Sequence, residues 1–422
     1  MNSSPTHRLC LASPVFYPTY GGSQRRFMSY LPGLRERGLD IRVYTGTPNA
    51  KEMSAEEMAL WGDCPTGEFM PTTEVSGVPV HRVKLPDRKG RKRTQTYNDR
   101  LLEYCRTPEY RPDVIQMVGP LKPMSIPLLL QLRDMGIPLL YAVTIAPPEP
   151  GRKKWFRRSH SKGDETALFN LLDCIVTNNT PLRDFVRAAG ITTRVEVIAN
   201  GVDLKRFYPA QTAADRDPLR TQLGIGPDDI MITSIGGISP RKGSDLIVDA
   251  WARLAAEFPN IHLVLIGPRK DLEQHKLKGF RRGMEKTIRQ SGASGRMHFT
   301  GLRDNVEEYQ RASDILVLPS EREGMPNAVL EAMASRVPVI MTPYKGLCAD
   351  MGTAGTHYLL SERNADALAS ALRQLLENPA LRAEFANQGY ERVKQTMSLD
   401  RSLDRYAALY HELAEQKTER GR

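Results

Sequence analysis

The feature that most constrains this chain is a rhythm of short, continuously apolar runs, each followed by a stretch of helical periodicity, that plays through once, stops, and starts again. A strand exposed on one face alternates apolar with polar residues, whereas one that is apolar throughout has both faces covered, the condition of a parallel sheet flanked by helices. The first series places strands at 8–16, 41–45, 78–85, 114–118, 139–144, 174–177 and 194–198. Its first helix carries Phe27, Leu31 and Leu34 on one side and ends near Gly38. After Asn200-Gly201-Val202-Asp203 comes a polar stretch, LKRFYPAQTAADRDP, with two prolines and mixed charge. The pattern then restarts, with strands at 230–235, 262–266, 297–300, 315–319 and 337–341 and clear helices at 244–258 and 326–335. Strand then helix, repeated, gives an α/β doubly wound parallel sheet with right-handed crossovers, here twice over. The expected division is a first domain at 1–202, a linker at 203–228, a second domain at 229–397, and a C-terminal helix at 398–422 that crosses back onto the first. Two such sheets facing each other leave a central cleft at the carboxyl ends of their strands, where open α/β sheets bind ligands. Chemistry is therefore to be sought on the loops that follow strands.

Length agrees with two domains, since 422 residues exceed what one hydrophobic core usually sustains. The five cysteines are scattered and odd in number, with no CxxC pair, which argues against a disulfide framework and a zinc site and for a reducing, cytoplasmic setting. No run approaches the roughly 18 apolar residues of a membrane span. The expectation is a soluble protein, or one bound at the inner face of a membrane. The net charge of +10 is uneven: residues 1–200 hold 28 Lys and Arg against 20 Asp and Glu, the rest 31 against 29. The excess concentrates in RKGRKR (88–93) and GRKKWFRRSHSKG (151–163). Such runs are solvated loops, or surfaces for anionic lipid head groups or an acidic acceptor. No nucleic-acid-binding motif accompanies them, so no nucleic acid partner is expected.

The most specific constellation is DILVLPSEREGMPNAVLEAMA, where a strand runs through Pro319-Ser320 into Glu323-Gly324-Met325-Pro326 and then a helix containing Glu331. Proline suits the first helical position, which leaves the amides of Asn327 and Ala328 pointing out as an anion site fit for a diphosphate. Glu331 stands close enough to accept hydrogen bonds from a ribose, and Glu323 on the loop to accept them from hexose hydroxyls.

Glu323 and Glu331, separated by seven residues with Gly324 and Pro326 among them, resemble the EX7E signature of the retaining GT-B glycosyltransferases, family GT4. The preceding MHFTGLRDNVEEYQRASDILVLPS and the following AMASRVPVIMT resemble the family's flanking segments. ITSIGGISPRKGSDLIVDAW resembles its strand, glycine loop, basic residue and helix, so Gly236 lies in the donor loop and Lys242-Gly243 aligns with the phosphate-binding lysine. A lysine there neutralises the leaving diphosphate, the largest electrostatic task when a glycosyl–phosphate bond breaks. The resemblance implies two Rossmann-like domains with the donor held by the second, and catalytic roles for Lys242 and Glu323. Gly324, Met325, Asn327, Ala328 and Glu331 join the donor site. In YPTYGGSQRR, Gly21 and Gly22 are similar to the family's glycine pair after the first strand, and ANGVDLKRFYP to the segment joining its halves.

Two positions depart from the family. Gly237 stands where an arginine is common, which leaves Arg241 as a substitute phosphate contact or a residue facing water. Thr144 stands where many relatives have a histidine at the acceptor side, and His160, sixteen residues on, is the remaining acceptor-side candidate or an exposed loop histidine. The implied reaction is transfer of a hexose-type sugar from a UDP-, GDP- or ADP-sugar to a glycan or lipid-linked acceptor, with retention of configuration, no cofactor and no metal. A sugar-nucleotide binder without turnover is the alternative, and a basic membrane- or nucleic-acid-binding scaffold a further one. A dinucleotide-dependent dehydrogenase is disfavoured, because no GxGxxG turn follows the first strand.

Overall fold

The computed structural model describes residues 6–17, 22–48, 55–61, 63–87, 90–119, 124–145, 162–269, 272, 277–347 and 349–420. They form two compact units, one of residues 1–199 with 400–422 and one of residues 200–399.

The first unit begins β1 (His7–Ser13), α1 (Gly22–Glu36), β2 (Leu39–Gly46), α2 (Ala55–Trp61), β3 (Thr73–Val75), β4 (Val78–Val83) and α3 (Arg91–Arg106). It continues β5 (Val114–Met117), α4 (Ile126–Asp134), β6 (Leu139–Val143), α5 (Lys162–Phe169), β7 (Cys174–Thr177), α6 (Thr180–Ala188) and β8 (Arg194–Val197). The strands make one sheet in the order β3-β4-β2-β1-β5-β6-β7-β8, parallel except for the β3–β4 hairpin. Leu9 of β1 sits opposite Ile41 on one side and Val114 on the other, so the strand order reverses between β1 and β5. β3 is too short and too exposed to signal in the sequence. It exists because Ser76 (φ 53) and Gly77 (φ 72) close a tight turn of the hairpin type. The basic run at 88–93 is partly helix: Arg91–Arg93 open α3, Arg91 and Lys92 are exposed, and Arg93 donates to the Pro86 carbonyl at 2.6 Å.

The second unit holds α7 (Asp217–Gln222), β9 (Ile230–Ile235), α8 (Ser244–Leu254), β10 (Ile261–Ile266), α9 (Lys278–Gln290), β11 (Met297–Gly301) and α10 (Val306–Ala312). After these come β12 (Ile315–Leu318), α11 (Asn327–Ala334), β13 (Val339–Met341), β14 (Leu359–Leu360), α12 (Ala365–Glu377) and α13 (Pro379–Thr396). Its six strands run in the order β11-β10-β9-β12-β13-β14, all parallel, and the order reverses between β9 and β12. Trp251 of α8 is fully buried in the core that also holds Leu263, Leu265 and Leu372. Side-chain caps stop helices from starting elsewhere: Asn364 accepts from Ala367 N at 2.8 Å and Asn378 from Leu381 N at 3.0 Å.

Residues 203–228, expected as a linker, lie inside the second unit. Arg220 of α7 is buried, with Nη1 on the Ala312 carbonyl and 3.0 Å from Asp314, and Nη2 on the carbonyls of Gly226 and Asp229. A polar segment thus folds in by pairing both terminal nitrogens of one buried guanidinium. The last helix, α14 (Leu399–Arg420), belongs from Asp400 onward to the first unit. It buries Tyr406 and Tyr410, the latter donating to Gln116 of β5 at 3.1 Å, and pairs Glu412 with Arg194. Among the described residues no helix is long and apolar enough to cross a membrane.

Candidate active site

Lys242 and Glu323 come from the two strands that flank the reversal of the second sheet. β9 runs into Gly236-Gly237, and a single 3-10 turn (Pro240–Lys242) delivers Lys242 just before α8. β12 runs through Pro319 and Ser320 to Glu323 and on to α11. Lys242 Nζ lies 2.6 Å from Glu323 Oε1, and Arg241 Nη1 lies 3.3 Å from the same oxygen. Glu323 is 9% exposed. Burial pushes its carboxyl up, but Lys242 and Arg241 more than reverse that and hold it below the usual carboxylate range.

Glycine permits this approach. A Cβ on Gly236 would stand 3.0 Å from Cε of Lys242, so the lysine stem lies across bare backbone. A Cβ on Gly243 would meet the Pro319 carbonyl oxygen at 2.4 Å, and one on Gly267, after β10, would meet that of Gly236 at 2.2 Å. Three strand-end loops therefore touch through their main chains. Hydrogen bonds fasten them: Glu321 N donates to the Arg241 carbonyl at 2.9 Å, and Arg241 Nη1 to the Arg322 carbonyl at 2.8 Å. Arg363 bridges the Pro319 and Pro240 carbonyls at 3.0 and 2.8 Å.

Beside this network α11 begins. Pro326 is the cap rather than the first helical residue, with ψ 111, and it offers no side-chain acceptor. The amides of Asn327 and Ala328 have no acceptor among the described residues, which leaves the start of α11 able to receive an anion. Asn200 holds the turn: its Nδ2 donates to the Met325 carbonyl at 2.9 Å and to Asn327 Oδ1 at 2.7 Å, and its N to Met325 Sδ at 3.2 Å. Gly324 and Met325 are buried, and Glu331 is half-buried one turn into the helix. The structure thus gathers Gly236, Arg241, Lys242, Glu323, Gly324, Met325, Asn327, Ala328 and Glu331 at one end of the second sheet.

In the first unit, Gly22 opens α1 after β1, and half-buried Thr144 follows β6, its carbonyl accepting from Asn178 Nδ2 at 3.3 Å. Gly21, His160 and most of the basic segment 151–163 lie outside the described residues. The strand ends at the reversal of this sheet surround an apolar recess of about 290 Å³, including space open to solvent, lined by Ala12, Pro14, Met117, Val118, Leu128 and Tyr141 among others.

Two family models match the chain: Glycosyl transferases group 1 over residues 215–392, and the Glycosyl transferase 4-like domain over residues 21–201. The chain belongs to the group 1 glycosyltransferases. A lipopolysaccharide core biosynthesis glycosyltransferase, LpsE, of Rhizobium meliloti is 26% identical over 291 residues, 68% of this chain and 79% of that one. The next two curated relatives are matched over 60% and 49% of their own length. A sucrose-phosphate synthase from Thermosynechococcus elongatus superposes with a TM-score of 0.75 at 20% identity, over 96% of this chain and 99% of that one. HepE of Anabaena, in complex with UDP, superposes with a TM-score of 0.72 at 18% identity, over 96% and 100%. The glycosyltransferase has the GT-B fold of two Rossmann-like domains. Its reaction class is glycosyl transfer from a nucleotide sugar, and the binder without turnover is not favoured.

Three residues that build this candidate site of the glycosyltransferase escaped sequence reasoning. Asn200 sits in a segment read only as a join, and no spacing ties it to Met325. Gly267 follows an apolar strand as Gly236 does, and that shared position was the available signal. Arg363 had none, because its partners are main-chain carbonyls.

Proposed function

We propose that the enzyme moves a hexose-type sugar from a UDP-, GDP- or ADP-sugar to a glycan or lipid-linked glycan with retention of anomeric configuration. The observation that carries this reading is the placement of Lys242, at 2.6 Å from buried Glu323, beside the unpartnered amides that open α11. Lys242 and the amides of Asn327 and Ala328 take the negative charge that grows on the diphosphate as the bond from the sugar's anomeric carbon to phosphate oxygen breaks. Glu323 accepts from hexose hydroxyls and Glu331 from the ribose, which fixes the anomeric carbon for attack. The acceptor oxygen bonds to that carbon on the face the diphosphate leaves, and its proton passes to a departing phosphate oxygen. By the same resemblance, Gly21 and Gly22 are assigned to donor binding, and Thr144 and His160 to the acceptor. Charge neutralisation rests on the lysine and amides, so EDTA is expected to leave turnover unchanged.

The UDP bound by HepE supports testing uridine donors first, and the part of LpsE in lipopolysaccharide core biosynthesis supports a lipid-linked glycan acceptor. The basic segments 88–93 and 151–163 support peripheral contact with an anionic membrane at its cytoplasmic face. The test is mass spectrometry of purified protein with a panel of UDP, GDP and ADP sugars, following nucleotide release in wild type and Glu323→Ala. Release from one donor, absent in the variant, is the expected result. Donors that bind without release, even with cell-lipid extract added, would overturn the enzyme reading.

A further inference from the structure

Two cations share one oxygen of Glu323, and they are held in very different ways. Arg241 is tied to the Glu321–Glu323 loop at both ends: its carbonyl accepts from Glu321 N, and its Nη1 donates to the Arg322 carbonyl as well as reaching Glu323. Lys242 Nζ bonds to Glu323 Oε1, and no other hydrogen-bond partner of this ammonium is found among the described residues. Its stem lies over Gly236, where no Cβ stands in the way of a swing. One cation is thus fixed and the other loose.

We propose that Arg241 is a positioning residue that keeps hold of the Glu323 carboxylate, freeing Lys242 to pass to the donor's diphosphate when the nucleotide sugar binds. This rests on the reading that Lys242 meets the diphosphate and Glu323 the sugar. The need for such a residue follows from burial. Glu323 is faced by Lys242 and Arg241 from the loop after β9 and by the buried Ser320 hydroxyl of its own loop. Stripped of both cations, a carboxylate so enclosed takes up a proton and becomes a poorer acceptor for sugar hydroxyls. A lysine that served Glu323 and the diphosphate together would be divided between them. The departure at Gly237 is then not repaired by Arg241, whose guanidinium is already engaged.

A ligand-free experiment separates this proposal from the donor reading. Lys242→Met removes the loose cation, and the Glu323 carboxyl is followed by 13C NMR titration against a Glu323→Gln assignment control. In Lys242→Met the carboxyl is expected to titrate at or below the ordinary glutamate range, held by Arg241. In Lys242→Met with Arg241→Gln it is expected to move up toward neutrality, and with Arg241→Lys to move back down. A carboxyl that rises in Lys242→Met alone, or stays low in the Gln double variant, overturns the role of Arg241 whatever the enzyme's substrates. The second arm is nucleotide release against pH with full-length protein. Arg241→Gln is expected to lose rate increasingly as pH falls, approaching about tenfold per pH unit once the added proton blocks the site, while Arg241→Lys restores the wild-type profile. A loss of equal size at every pH, accompanied by weaker UDP binding, would make Arg241 a phosphate contact and sink the proposal.

Discussion

The two units share an architecture and differ in what they place at the reversal of strand order. In the second, three loops touch through Gly236, Gly243 and Gly267 and are fastened by Arg241, Glu323 and Arg363, with Lys242 and the amides that open α11 beside them. In the first, the ends of β1 and β5 border an apolar recess among Ala12, Met117 and Leu128. The contrast fits the proposed place of the donor in the second unit. A diphosphate is common to all the candidate donors, and its charge rewards a preorganised polar network.

The largest effect is expected from deleting residues 400–422, which belong to the first unit. Leu403, Tyr406, Leu409, Tyr410 and Leu413 are all buried there, and burying each such side chain is worth about 1.5–3 kcal/mol, an upper estimate for any one of them. The first unit should lose cooperative unfolding while the second keeps its own transition and binds nucleotide. Calorimetry of the deleted chain checks this, and two surviving transitions would show that α14 is dispensable to the first unit. Next comes Lys242→Ala, expected to lower nucleotide release by about 10²- to 10³-fold, as loss of one preorganised charge-stabilising group does. Single-turnover rates measure it, and a drop below tenfold would remove Lys242 from the chemistry.

A smaller effect distinguishes glycines of similar backbone in the two units. Gly243 has φ +67 and would drive a Cβ into the Pro319 carbonyl, whereas Gly190, with φ +80, would meet nothing within 4 Å. Gly243→Ala should destabilise the second unit by about 1–3 kcal/mol and raise the donor KM. Gly190→Ala should cost the first unit only the backbone strain, about 1 kcal/mol. Thermal melts of both variants decide it, and equal shifts would mean that the loop contact at Pro319 carries no strain of its own.

What was legible in the sequence follows the same division. Parallel strands with a buried middle announce themselves, so β9, β10 and β12 stand where their apolar runs lie, and the loop after β12 and the helix it opens show Glu323 and Glu331 by their spacing. The segment around Arg220 reads as a linker because its charge and prolines resemble solvated chain, and the acceptors Asp314, Ala312, Gly226 and Asp229 show why it packs on the second unit. Two-residue β14 carries too little pattern to register. The pairing of Lys242 with Glu323 crosses eighty residues and depends on a sheet order that local pattern does not encode. Asn200 was hidden for the same reason.

The smallest effect concerns the end of the second sheet away from the site. His262 at the start of β10 and His298 at the start of β11 stack, with His262 Nδ1 3.2 Å from His298 Nε2, while His262 Nε2 faces Asp229 at 3.4 Å. A proton on His262 Nε2 directed at Asp229 leaves Nδ1 to accept from His298, an arrangement satisfied by two neutral rings. Burial lowers both imidazoles from 6.5; for His262, Arg296 and Arg220 add to this against the pull of Asp229, and for His298, His262 adds to it. Both rings therefore prefer to be neutral when folded, so the unfolded chain binds protons first. The stability they contribute is complete above about pH 6.5 and is lost as pH falls through the lowered folded values, at no more than about 1.4 kcal/mol per pH unit for each proton. The first unit has a buried imidazole of its own in His81, so wild-type melts alone do not assign the loss. His298→Gln keeps a donor for His262 and removes one titration. The second unit's melting temperature should then fall less steeply between pH 7 and 5.5 than in wild type while the first unit's is unchanged, and an unaltered slope would mean that the stacked pair does not set the acid sensitivity of the second unit.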